Sequence, residues 1–504
     1  MTNSLLTARS KTSPLNWLPL TAILLSVFAV DILFMPRLLW QSDALIWRQE
    51  SASILEHGRL WIDAATVADT GSVPGQSYDL NPIDGRWYSK YGIANSIISI
   101  PPMVAERWLT GSYQPGSPTD IRLLNAWNIS FSLSLAGMLF LICGRYTSNP
   151  WHRCAYVMVC FFATYLWYYQ RAQGGEIYQP FFFAATYESL LRALKRPKAP
   201  STPWLAAVWF FVGFLVLTRV FYAFLIPLTL LLCCVSAILH RQSWRRAISI
   251  LIGGPLLILL TLGWINNLKF GSPYLTGYHQ WRPEDHSLTG SWFDGVYGLL
   301  FSCHWGIFIY FPVLLLSLPN WQRFIREHAF DAWMILGIFG ATLLLLGSIP
   351  TWRGEWTYGP RYMLFILPIL ALPSLYVFEG LNVRTRRAAG AALLLGISIW
   401  MQCMVNRADF WFFYKVEHPL DGRMDRDIAE YLFDRPEAIL LQDMAGHRQN
   451  LDDTFLFRQI IRENRLTPEQ LVLYRRMVLD ALDNTNLYWW PPPNPAAQQK
   501  SGSP

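Results

Sequence analysis

The sequence predicts an all-α polytopic membrane protein. Three observations carry this. Of 504 residues, 53% are hydrophobic and only 15% are charged, against about 25% charged in a soluble domain. The apolar residues fall in blocks of roughly 17–22, long enough as helix to cross about 30 Å of hydrocarbon. Short basic segments with almost no acids alternate with long acidic ones, the asymmetry that sets orientation in a bilayer. Backbone groups in lipid must be satisfied internally, which leaves helices or closed barrels. These blocks lack the alternation of barrel strands.

Each element follows from that pattern. Residues 1–16 contain Arg9 and Lys11 and are expected to form a cytoplasmic N-terminal tail. The first apolar block, residues 17–35, is too long for a signal-peptide core and lacks a small-residue cleavage site. It exits into a large exterior loop, residues 36–121. There, residues 43–60 are expected to form an interfacial helix with Leu45, Ile46, Ala52 and Leu55 near one side. Residues 64–80 are looser, with Gly71 and Pro74. Residues 92–108 are apolar but interrupted by Pro101-Pro102, as an interfacial or re-entrant helix would be. Ten further blocks follow, near 123–143, 154–169, 181–194, 204–217, 221–239, 248–264, 304–318, 332–348, 362–377 and 388–405. The basic runs Arg192–Lys198, Arg241–Arg246 and Arg384–Arg387 fall inside, giving about eleven spans (10–13), N-in and C-out.

The transmembrane domain is thus expected over residues 17–405, with an extracytoplasmic helical region at 406–490 and a disordered tail at 491–504. In the C-terminal region, Thr467-Pro-Glu-Gln470 reads as a capping box with proline at the first helical position. It opens an amphipathic helix with Leu471, Tyr474, Val478, Ala481 and Leu482 on one face.

The net charge of +7 is spent on loop asymmetry, so it does not indicate a nucleic-acid partner. The seven cysteines form no metal-binding spacing and lie mostly inside apolar blocks, as small core residues do. No phosphate-binding Gly-rich loop, dinucleotide turn or metalloprotease helix is present.

The candidate chemistry lies in the loops assigned outside. Asp43 closely follows the first block and could accept a proton from an incoming hydroxyl; the plain alternative is a solvated loop acid or helix cap. In Asp84-Gly-Arg-Trp-Tyr-Ser-Lys-Tyr-Gly92, Tyr88, Lys90 and Tyr91 combine a cation, hydroxyls and aromatic faces suited to a phosphate bearing a sugar. The alternative is a turn at Asp84-Gly85 followed by interfacial aromatics. Glu176 in the second exterior loop could orient an acceptor or ligate a divalent cation such as Mg or Mn, or simply pair with Arg171. In Thr351-Trp-Arg-Gly-Glu-Trp-Thr-Tyr-Gly-Pro-Arg-Tyr362, Arg353 and Arg361 bracket Glu355 at the mouth of a span, with Tyr362 adjoining. Arginine grips phosphate oxygens with a fixed fork, although an Arg–Glu staple between helix ends also fits. His57 and His304 read as polar packing.

In this order, the features resemble the GT-C superfamily of integral membrane glycosyltransferases, in the bacterial branch related to protein O-mannosyltransferases and aminoarabinose transferases. The matching pieces are Asp43, the helix ending Leu55-Glu-His-Gly58, the Asp84–Gly92 segment, Glu176, Gly271-Ser-Pro-Tyr-Leu-Thr-Gly-Tyr278 and Trp356-Thr-Tyr-Gly-Pro-Arg-Tyr362. The resemblance implies a polyprenyl-phosphate sugar as donor and inverting transfer to an acceptor hydroxyl on a lipid, glycan or protein. It also implies Asp43 as general base, with Lys90, Arg353 or Arg361 stabilising the departing phosphate. The implied location is the plasma (inner) membrane of a bacterium, with the site on the extracytoplasmic face. Many relatives carry two adjacent acids in the first loop, whereas Asp43 is followed here by Ala44. A transporter or flippase of lipid-linked sugar, or a non-catalytic glycolipid-binding scaffold, would use similar groups.

Overall fold

The computed structural model describes residues 17–35, 42–69, 78–114, 116–172, 174–194, 199–239, 244–245, 247–278, 287–303, 305–354, 358–380, 386–407, 447, 449–462 and 466–483. Four helices are long and apolar enough to cross a membrane: Pro118–Cys143, Val220–Leu239, Ile248–Phe270 and Ala329–Gly347. Trp17–Leu33, Thr202–Thr218 and Ala388–Cys403 are shorter apolar helices. On Ile248–Phe270 the outward positions Leu256, Leu257, Leu259, Leu260 and Trp264 are exposed, the pattern of a helix solvated by lipid.

Other blocks that the sequence reads as single spans are built from pieces. Residues 154–169 are divided between α6 (Pro150–Phe162) and α7 (Leu166–Arg171). Thr164 lies at the break, its hydroxyl donating to the Cys160 carbonyl. Residues 362–377 become a short turn, the helix Leu367–Leu370, a second turn and Leu375–Gly380. Pro368 and Pro373 remove the donors a continuous helix would need there. Residues 307–317 divide in the same way around Pro312.

The segment that follows the first apolar helix holds more regular structure than its sequence suggests. Helix α1 (Trp17–Leu33) leads into α2 (Ser42–His57), then strand β1 (Trp61–Ile62) and the short helix α3 (Ala64–Asp69). Strands β2 (Tyr78–Leu80) and β3 (Trp87–Ser89) follow, and the antiparallel sheet has the order β1-β3-β2. Register pairs Trp61 with Tyr88, and Tyr78 with Ser89. The predicted turn at Asp84-Gly85 closes the β2–β3 hairpin, with Gly85 at φ +67°. A residue with a Cβ rarely adopts that conformation.

Helix α2 is not a surface helix. Ala44, Ile46 and Trp47 are buried, as are Arg48 and Glu50. Arg48 donates from Nε to Asp120 Oδ2 at 3.0 Å and pairs with it through Nη2. Asp120 lies in the first turn of α5 (Pro118–Cys143). Charges buried at this depth are tolerable only when paired.

After β3, helix α4 (Ile93–Thr110) runs through Pro101-Pro102 without ending. Pro102 has no N–H for the Ile98 carbonyl, and the Trp127 indole donates to that carbonyl at 2.8 Å. A side chain thus restores a hydrogen bond that the proline removes.

Further on come α8 (Tyr178–Leu194), α9 (Thr202–Thr218), α10 (Leu225–Leu239) and α11 (Ile248–Phe270). One continuous apolar core joins most of these helices, with Tyr156, Tyr165, Tyr187, Phe183 and Phe365 among its members. The capping box forms as predicted: Thr467 N donates to Gln470 Oε1 at 2.9 Å and Gln470 N to Thr467 Oγ1 at 3.3 Å. The helix Pro468–Asp483 buries Tyr474 and Val478. Residues 1–16, 408–446 and 491–504, together with Glu355 and His304, lie outside the described residues.

Candidate active site

Asp43 occupies the first turn of α2 and is partly exposed. Its Oδ1 accepts a hydrogen bond from the Tyr91 hydroxyl at 2.6 Å. Tyr91 follows β3 and is held by aromatic edges, with its ring 5.8 Å from Trp47 and 6.5 Å from Tyr278. Burial first, then the charge of Asp43, pushes the Tyr91 phenol well above its ordinary pKa. Tyr91 is therefore a standing hydrogen-bond donor to Asp43. The sequence assigned Tyr91 to the phosphate; in the structure its hydroxyl is on the acid.

The segment 90–92 is clamped between two others. A Cβ on Gly92 would lie 2.2 Å from the Leu217 carbonyl oxygen, and one on Gly277 would lie 2.4 Å from Lys90 Cα. Only glycine permits such backbone approach. Asn95 Nδ2 also donates to the Thr218 carbonyl at 3.3 Å. The end of α9, the start of α4 and the loop after α11 are thereby locked together.

Where they meet lies a small cleft. Val216, Val220, Leu262 and Ile265 line it with apolar groups, and Lys90, Lys269, Arg219 and Tyr278 line it with cations and a hydroxyl. Lys90 is buried, with Nζ 5.2 Å from the Tyr91 ring centroid and 5.9 Å from that of Tyr278. Lys269 forms an ion pair with Glu50 at 2.8 Å and donates to the Tyr91 carbonyl at 2.9 Å.

Arg219 breaks the chain between α9 and the turn Val220–Phe224. Its Nη2 is 2.9 Å from Glu176 Oε1, and Arg361 Nη1 is 3.7 Å from the same oxygen. Both guanidiniums lie beside the Tyr362 ring, at 5.1 and 5.2 Å. Asp43 is within electrostatic reach of Arg361. Glu176 does not pair with Arg171, which instead donates to the Asn406 carbonyl at 2.6 Å.

The structure thus brings together Asp43, Tyr91, Lys90, Glu176, Arg361 and Tyr362. It sends two other candidates elsewhere. Tyr88 donates to Asp84 at 2.8 Å. Arg353 is exposed and rests on the Trp305 and Trp352 rings, 5.3 Å from each. Two residues at this site were not singled out from the sequence, Arg219 and Lys269. The signal for Arg219 was present: an arginine between two apolar runs is costly unless it has work to do.

A divalent cation does not fit the described residues. No group of three His, Cys, Asp or Glu side chains comes together among them. Glu176 is already shared by two guanidiniums and Asp43 already takes a phenol hydrogen. Two positive charges beside Glu176 also oppose a dication.

No family model and no curated protein matches the chain. Solved structures do. One is ArnT of Cupriavidus metallidurans in the apo state, an aminoarabinose transferase, at 15% identity and a TM-score of 0.51. That match covers 94% of this chain and 76% of ArnT. The apo oligosaccharyltransferase of Archaeoglobus fulgidus matches with a TM-score of 0.52 at 11% identity, over 94% of this chain but only 60% of its own length. The same enzyme in complex with Zn and sulfate gives a TM-score of 0.52 at 12% identity, over 93% of this chain and 59% of its own. This chain therefore shares its fold with ArnT and with the Archaeoglobus fulgidus oligosaccharyltransferase over almost its whole length.

Proposed function

We propose that this protein is a membrane glycosyltransferase that moves a sugar from a polyprenyl-phosphate donor to an acceptor hydroxyl, with inversion. The observation that carries the reading is the placement of Asp43. It is held by Tyr91, which itself lines a small cleft where apolar side chains meet the cations Lys90 and Arg219. Apolar side chains there suit an isoprenoid chain, and Lys90 and Arg219 suit its phosphate.

The acceptor hydroxyl gives its proton to the Asp43 carboxylate as its oxygen attacks the anomeric carbon. The bond from that carbon to the phosphate oxygen breaks on the opposite face, and lipid phosphate leaves carrying the electron pair. Lys90, Arg219 and Arg361 oppose the charge that develops on the phosphate, the term that preorganised cations supply best. Glu176 keeps the two arginines from repelling one another and fixes them beside Tyr362. On this reading Glu176 orients the phosphate-binding arginines, and the chemistry needs no metal ligand from it. The site faces the extracytoplasmic side of a bacterial inner membrane, and the acceptor is a lipid, glycan or protein hydroxyl.

The test is reconstitution of the purified protein with a panel of polyprenyl-phosphate sugars, scoring lipid-phosphate release. Asp43→Asn abolishes release if the acid is the base; full turnover in that variant overturns the assignment. Transbilayer movement of intact donor without cleavage would instead identify a flippase.

A further inference from the structure

Lys269 lies in the last turn of α11 and is almost wholly buried, at 1% exposure. Its ammonium reaches two places at once. One is Glu50, two helical turns beyond Asp43 on α2 and itself wholly buried, at 2.8 Å. The other is the backbone carbonyl of Tyr91, at 2.9 Å. Glu50 is held from its other side, where Ser96 Oγ donates to Oε2 at 2.6 Å. Tyr91 in turn donates its hydroxyl to Asp43. A single side chain from α11 therefore touches both the helix that carries the acid and the residue that bonds it. An ammonium offers three hydrogens; the Tyr91 carbonyl takes one, and the Glu50 carboxylate pairs with the charge. A buried ion pair adds little net stability over an apolar pair of the same size, so stability alone does not account for this one.

We propose that Lys269 is a positioning residue for glycosyl transfer. By clamping Glu50 and the Tyr91 carbonyl it sets the direction of the Tyr91 hydroxyl and hence of Asp43, without itself holding the donor phosphate. The proposal rests on the reading of Asp43 as the base. Misplacement by about 1 Å costs up to about a hundredfold in rate, so the effect belongs in kcat.

The experiment uses the full-length protein in liposomes with whichever polyprenyl-phosphate sugar the wild type turns over. The double change Lys269→Met with Glu50→Gln removes the clamp and leaves no lone buried charge. Lys269→Arg keeps the charge but alters its reach. The expected result for the double change is a kcat lowered roughly 10- to 100-fold with the donor KM unchanged. In a Tyr91→Phe background the same double change costs much less, because the route through the phenol is already gone. Unchanged kcat, or a raised donor KM at full kcat, overturns the proposal; the second outcome makes Lys269 a phosphate contact. Full additivity with Tyr91→Phe also overturns it. Asp43→Asn is assayed beside these variants. If it retains full turnover, the base reading falls and this proposal with it. If it is inactive while the clamp variants behave as wild type, this proposal alone falls.

Discussion

The Tyr91 hydroxyl donates to Asp43 Oδ1 at 2.6 Å across 48 positions of sequence. This contact joins the start of α2 to the segment just after β3, and it makes the β2–β3 hairpin part of the candidate site. A hydrogen bond to a charged group contributes about 1.5–3 kcal/mol. Tyr91→Phe is therefore expected to lower kcat roughly tenfold or more while the protein stays folded, since the ring remains packed against Trp47. Single-turnover kinetics on the wild type and the variant would check this. An unchanged rate would show that Asp43 needs no partner.

Glu176 is the hub of the second cluster. It is 2% exposed and lies against Arg219 and Arg361. Removing one partner of a buried ion pair costs about 3–5 kcal/mol, because the remaining charge is left unpaired. Glu176→Gln leaves two guanidiniums side by side, so it should lower the thermal midpoint and also weaken donor binding. Glu176→Gln combined with Arg219→Met should recover much of the stability but not the binding. Thermal unfolding in detergent, followed by tryptophan fluorescence, separates the two effects.

How much of this was legible in the sequence depends on the physics of each part. Membrane residence and the candidacy of Asp43, Lys90, Glu176 and Arg361 follow from hydropathy and charge, which are local quantities. The β1-β3-β2 sheet did not show, because strands of two or three residues are too short to display an alternating period. Broken helices such as residues 362–377 looked continuous because proline punctuates an apolar run without lowering its hydropathy. Partner choice was the least legible: Arg171 is five residues from Glu176, yet Arg219, 43 residues away, makes the pair. Sequence distance says little once helices pack side by side.

Asp79 predicts a pH dependence of stability. It is buried in β2, with neither carboxyl oxygen hydrogen-bonded. Burial pushes its pKa up to about 7, against the pull of Lys90 and Lys269. In the unfolded chain an aspartate titrates near about 3.9. Between these values the folded state holds the extra proton, so stability falls as pH rises from about 4 through about 7. Asp79→Asn cannot ionise and should flatten that slope, with the variant gaining on the wild type at pH 8 by an amount of order a few kcal/mol. Chemical or thermal denaturation across pH 5–8 (roughly the window in question) reads this directly; parallel slopes would show that Asp79 is ionised or solvated throughout.

Arg353 and Arg361 looked equivalent in the sequence, eight residues apart around one aromatic motif. The structure separates them. Arg361 lies against Glu176 and beside Tyr362, within reach of Asp43. Arg353 is exposed and stacks on Trp305 and Trp352, a contact worth about 0.5–1 kcal/mol at an exposed site. Arg361→Ala is therefore expected to abolish detectable lipid-phosphate release, because it removes a cation that lies against Glu176 and within reach of Asp43. Arg353→Ala should cost no more than about fivefold, the equivalent of that stacking energy. Arg361→Lys is the sharper variant. It keeps the charge but loses the planar fork that can meet Glu176 and a phosphate together, so partial activity with a raised donor KM is expected. Equal losses in Arg353→Ala and Arg361→Ala would mean that the phosphate binds across the aromatic motif and outside the α9–α11 cleft.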